Sequence, residues 1–161
     1  MTARAETILE TVLTALATIT VAAGYNYTLS GSEGVHEGEP GTADAQLASV
    51  WVWPELDNVE DQLLTVDGFR LVLHLEGRVP TTSSALGTKS RAYIRLYSDL
   101  QKALTTAFLP GGTLAELPWL KTMHLKSRGP GAGMAAGLAP GMAIVPLDLI
   151  FTYPCPFGTG V

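Results

Sequence analysis

Cysteine is nearly absent: Cys155 is the only one among 161 residues. One thiol cannot build a disulfide framework, so the fold has to be held by burial. Charge is scarce as well, at 16% of residues against a typical ~25%. With 47% apolar residues, this composition excludes disorder over most of the chain. It suggests instead that some surface is hidden in an assembly. Long apolar runs are missing too. The nearest, Thr11 to Gly24, is too short to span a bilayer and carries Thr11, Thr14, Thr18 and Thr20. No basic region precedes it, because Arg4 is offset by Glu6 and Glu10, so no signal peptide is read. The chain is expected to be soluble and intracellular at synthesis, and Asn26-Tyr27-Thr28 is read as a chance glycosylation match. The length fits one domain, able to bury roughly 70% of its extended surface without a metal.

Catalytic signatures are lacking in the same way. His36, His74 and His124 fall in separate segments with no close spacing, so no metal ligand set and no cofactor is expected. His74 belongs to the polar side of a strand. His36 sits near Glu33, Glu37 and Glu39, where a loose divalent site is conceivable but a solvated loop is the favoured reading. There is no G-x-S-x-G elbow. Gly87-Thr88-Lys89-Ser90 lacks the upstream glycine and strand of a phosphate loop. Cys155, between Pro154 and Pro156, has no nearby base or helix start to lower its pKa. The chain is not expected to be an enzyme.

What is present is a lopsided distribution of charge. Residues 1–67 hold eleven acids and one base, Arg4, a net of −10; residues 68–161 hold four acids and nine bases, a net of +5. Two solvated faces would explain this. So would a subunit whose one face attracts the opposite face of its neighbour, a heterologous contact that closes into rings or runs on as filaments. A dedicated nucleic-acid binder would be basic overall, and this chain is net −5.

Periodicity places the elements. Ile8, Leu9, Val12, Leu13, Leu16 and Ile19 form one apolar stripe, predicting a helix over 3–20 capped by Thr2 and stopped by Gly24. Residues 25–30 suit a short strand. Gly31 to Thr42, with five glycines or prolines and three glutamates, reads as an exposed loop. Residues 48–53 read as a strand closed by Pro54, and 63–76 as the clearest strand. There Phe69, Leu71, Leu73 and Leu75 face one way, and Arg70, Val72, His74 and Glu76 the other. Pro80 to Thr88 reads as a linker. A second helix is predicted over 89–108, with Tyr93, Tyr97, Leu100, Leu104 and Phe108 on one face, Ile94 beside them, and Arg91, Arg95 and Lys102 opposite. Strands are predicted over 119–127 and 143–153. Pro146 predicts that the last strand starts late or lies at an edge.

Helix, three strands, helix, two strands is the order of an α+β two-layer sandwich. The expected sheet has four to five mostly antiparallel strands with both helices on one face. Trp51 and Trp53 share a face, core or contact. Residues 129–141 carry five glycines, two prolines and no charge. They are either an arm that orders on a neighbour through Met134 and Leu138, or a hairpin tip.

This succession resembles the tail terminator (tail completion) proteins of long-tailed bacteriophages, of the lambda-type minor tail class. The resemblance rests on the helix Arg4 to Ile19, an acidic loop, and the strand end Val50-Trp51-Val52-Trp53-Pro54-Glu55. It continues with the alternating strand Phe69–Leu75, then Ser98-Asp99-Leu100-Gln101-Lys102-Ala103-Leu104 leading to Pro110-Gly111-Gly112, and the closing strand Leu147 to Tyr153. It covers roughly residues 3–155 of a single domain, 1–161, with loops at 31–47 and 129–141 longer than the minimal pattern.

The resemblance implies a non-enzymatic virion protein, assembled in the host cytoplasm. It would form a homo-hexameric ring at the head-proximal end of the tail, cap the tail tube, stop tube growth and meet the head–tail connector. DNA would only pass through the lumen, and no membrane is involved. Arg91, Arg95, Lys102, Glu37, Glu39, Met134 and Leu138 are the candidate subunit or tube contacts. The acidic 33–61 region and the basic side of the second helix are expected on different surfaces. A tail tube or connector subunit is the alternative, and a small ligand-binding domain or enzyme a more distant one.

Overall fold

A computed structural model describes residues 4–29, 33–41, 47–55, 69–81, 86–128 and 141–154. The elements are α1 (Arg4–Ala17), a 3-10 turn (Val21–Ala23), β1 (Val35–Glu37), β2 (Ser49–Pro54), β3 (Phe69–Pro80), α2 (Leu86–Phe108), β4 (Thr122–Ser127) and β5 (Met142–Tyr153). The strands form one sheet in the order β1-β2-β3-β5-β4. Only β1 and β2 run parallel; every other pair is antiparallel. This is the α+β class expected from the element order, with both helices on one face.

Alternation decides which side of each strand meets the helices. Val50 and Val52, Leu73 and Leu75, and Val145, Leu147, Leu149 and Phe151 point inward and are buried. Ile8, Val12, Ala15 and Leu16 of α1 and Leu96, Leu100 and Leu104 of α2 cover them. Each fully buried Leu, Ile or Phe stabilises the fold by about 1.5–3 kcal/mol over its exposed state. The threonines of α1 do not break the helix, because their hydroxyls bond carbonyls one turn back. Thr11 Oγ1 donates to Thr7 O at 2.7 Å and Thr14 Oγ1 to Glu10 O at 2.9 Å.

Several expectations are corrected. Residues 25–29 are not a strand: the backbone N–H groups of Asn26 and Tyr27 donate to the Asp99 carboxylate at 2.9–3.1 Å. Donors taken by a carboxylate are lost to a ladder. Gly24, with φ 81°, closes the 3-10 turn rather than α1. The glycine-rich loop contains β1, paired parallel with β2 from Val35↔Val50 to Glu37↔Val52. β3 runs on through Gly77, Arg78 and Val79 to Pro80, and α2 begins at Leu86, so the expected linker is shorter at both ends.

The buried stripe of α2 is also rotated from the expected one. Ala92, Leu96, Leu100, Ala103, Leu104 and Ala107 face the sheet, while Tyr93 and Tyr97 flank it and Ile94 is 62% exposed. Small residues let α2 sit close to β3. A Cβ at Gly77 would lie 2.7 Å from Leu96 Cδ2.

β5 is an interior strand that starts before Pro146, contrary to the expected late start or edge position. The reason lies in the length of its neighbour. The Pro146 carbonyl faces β4 and accepts from Arg128 N at 3.3 Å, beyond the end of β4 at Ser127. The missing N–H of Pro146 therefore falls where the ladder has already ended.

Candidate assembly surfaces

The face of the sheet away from the helices has its own chemistry. Register aligns His36 with Trp51, Trp51 with Glu76, Trp53 with His74, and His74 with Asp148. The His36 ring stacks on Trp51 with centroids 4.7 Å apart, and its Nε2 lies 3.0 Å from Glu33 O. The Arg78 guanidinium also lies against Trp51, 4.9 Å from its ring centroid. Its Nε donates to Glu76 Oε1 at 2.7 Å and its Nη1 to Gly41 O at 2.8 Å. His74 Nδ1 and Arg128 Nε meet the same Asp148 oxygen at 2.7 and 2.5 Å, while Arg128 and His74 both lie against Trp53. Trp51 and Trp53 are therefore neither core nor bare surface: they are half-buried on the open face under cations of their own chain.

These pairings internally neutralise much of the open face. Arg70 of β3 is exposed on this face, and further exposed charge lies at the two sides of the sheet. Glu33, Glu37 and Glu39 are exposed on and around β1, the first strand of the sheet. Lys121, His124 and Lys126 are exposed on and beside β4, the last. Among the described residues, β1 and β4 each pair on one side only. Following the pairings across the sheet, β1 and β4 run antiparallel to one another.

The α2 cations separate into two groups. Lys102 is turned onto its own chain, with Nζ 4.4 Å from the Tyr25 ring centroid and donating to Gly24 O at 3.2 Å. Arg91 and Arg95 are exposed on the first half of α2 and line a cavity of about 310 Å³. α2 packs on β3, β5 and α1. The expected contact residues are thus not gathered at one place: Glu37 and Glu39 belong to the β1 side, and Arg91 and Arg95 to α2. Met134 and Leu138 lie outside the described residues, as do Asp44, Asp57, Glu60, Asp61 and Cys155.

Arg4 is occupied structurally. Its guanidinium donates to the Pro154 carbonyl and lies 5.2 Å from the Trp119 centroid, tying the start of α1 to the end of β5. Among the described residues, no three His, Cys, Asp or Glu side chains are grouped to hold a metal ion, and no helix is long and apolar enough to cross a membrane.

The cross-strand tryptophan–cation pairs were missed by sequence reasoning. The period-two pattern places Arg70, Val72, His74 and Glu76 on one side of β3, but partners depend on register. Arg78 and Arg128 carry no local sign that each meets a tryptophan. No family model matches the chain, and no curated protein matches it.

Proposed function

We propose that this chain is a structural virion protein. Copies of it form a ring that caps the tail tube of a long-tailed phage, ends tube growth and joins the tail to the head connector. One observation carries the reading. Glu33, Glu37 and Glu39 are exposed at the β1 side of the sheet, and His124 and Lys126 at the β4 side. Two unlike edges favour a head-to-tail contact between copies, and repetition of such a contact about an axis closes a ring.

The strand directions are compatible with this contact. β4 of one copy meets β1 of the next in antiparallel sense, the arrangement in which exposed strand edges pair most readily. Acidic side chains around β1 then come near the basic edge at β4, which steers docking. A hexamer, the tail tube protein and the connector as partners, and DNA passing through the lumen follow from the resemblance. A terminator binds the tube end with one axial surface and offers no growing end on the other.

The test is electron microscopy of the purified protein mixed with preformed tail tubes. Rings at one end of each tube, with tube length arrested, are the expected result. Long tubes formed by the protein alone would make it a tube subunit. Absence of both rings and end decoration would sink the reading.

A further inference from the structure

The first half of α2 holds two guanidinium groups that form no ion pair among the described residues. Arg91 and Arg95 are one helical turn apart, so their side chains leave the same side of the helix. Neither has a hydrogen-bonded or carboxylate partner among the described residues. Like charges at this spacing repel, which costs the helix stability. Yet both line one cavity of about 310 Å³ together with Thr88 and Ala92 of α2, Val79 and Pro80 of β3, Thr81 and Tyr27. That volume falls at the lower end of small-molecule sites.

Among the described residues, every polar side chain lining this cavity can donate a hydrogen bond. Thr88 lies in the first turn of α2, where the helix dipole favours negative charge. The Thr81 hydroxyl is buried and has no hydrogen-bond partner among the described residues. A buried polar atom left unpaired is costly, and a ligand acceptor would satisfy it. Tyr27 is held in place from behind, its backbone N–H donating to Asp99 at 3.0 Å. Burial pushes its phenol above the ordinary value, opposed by Arg95 and assisted by Asp99, so the hydroxyl keeps its proton at neutral pH. Asp99 itself is directed to Asn26 and Tyr27 and does not line the cavity.

From this convergence we infer that the Arg91–Arg95 cavity is a binding site for a phosphate group. Donors arrive from three parts of the chain: α2, Thr81 just after β3, and the segment around Tyr27. A flat carboxylate presents two oxygens in one plane. A phosphate presents a tetrahedron of acceptors, and guanidinium forks grip it in pairs. The apolar patch of Val79, Pro80 and Ala92 leaves room for the group that bears the phosphate. That bearer is either a small phosphomonoester or the backbone of DNA. This site is separate from the sheet edges assigned above to ring closure and stands without them.

The experiment is calorimetric titration of the full chain at constant ionic strength. The probes are inorganic phosphate, phenyl phosphate and a short DNA duplex, with sodium chloride as the blank. Saturable binding of phosphate or phenyl phosphate is expected, weakened by at least about tenfold in Arg91→Gln/Arg95→Gln. Tyr27→Phe should weaken it less, and Lys102→Gln should leave it unchanged. Circular dichroism melts establish that each variant folds. Binding of DNA without the small probes, lost in the same double variant, assigns the site to a nucleic-acid phosphate. Saturation by a small probe but not by DNA assigns it to a phosphomonoester. No saturable signal above chloride, or binding that survives Arg91→Gln/Arg95→Gln, overturns the inference.

Discussion

Asp99, 2% exposed on α2, accepts from the Asn26 main chain through both carboxylate oxygens, at 3.1 and 2.9 Å. The same carboxylate takes Asn26 Nδ2 at 2.8 Å and Tyr27 N at 3.0 Å. A helix residue thereby fixes a segment 73 positions earlier in the chain, and with it the tyrosine that faces the arginine cavity. Removing the carboxylate strands two backbone donors. Asp99→Ala is therefore expected to cost about 3 kcal/mol of stability. Urea unfolding measures this, and a loss under about 1 kcal/mol would show that the segment holds itself.

Gly77 is where α2 and β3 come closest. A methyl group there would sit 2.7 Å from Leu96 Cδ2 and 3.2 Å from Leu100 Cδ1, both on fully buried leucines. Gly77→Ala should destabilise by about 1–3 kcal/mol through overpacking. Leu96→Ala in the same background should relieve part of that cost, a coupling that a double-mutant cycle reads directly. Purely additive effects would mean the two sites do not touch.

Tyr27 gives the protein an alkaline weakness. Burial raises its phenol above the ordinary 10.0, so the folded state prefers the protonated form. That preference is present in full below pH 10.0 and is lost as pH rises through the higher folded value. Tyr27→Phe cannot ionise. Its urea midpoint should fall less steeply than wild type between about pH 9 and about pH 11. Parallel curves would contradict the burial effect.

Charge at the sheet edges is open to a swap experiment. Lys126→Glu or Glu37→Lys alone should weaken self-association by about fivefold at low salt, a difference shrinking as salt screens it. Sedimentation velocity across ionic strengths distinguishes the cases. Wild-type behaviour in both single variants would remove the edge-to-edge contact.

Much of this architecture can be read from residue spacing. The stripe Ile8, Val12, Leu16 and Ile19 identifies α1 and its buried side, because a helix repeats every 3.6 residues whatever it packs on. Alternation from Leu71 to Glu76 and from Val145 to Phe151 identifies β3, β5 and their inward faces for the same local reason. Fold class then follows from element order and from the need to cover apolar faces.

Contacts between segments distant in sequence had no such signature. β1 is three residues long in a glycine- and glutamate-rich stretch, and only pairing with Val50 and Val52 makes it a strand. Residues 25–29 alternate like a strand, but Asp99 captures their donors. The buried side of α2 was set by Gly77 and three alanines, which favour close approach over the larger tyrosine stripe. Arg91 and Arg95 are legible in the sequence as cations on one helix face. Their meeting with Tyr27 and Thr81 was decided by tertiary structure alone, because those donors come from segments brought together only when α2 packs on the sheet.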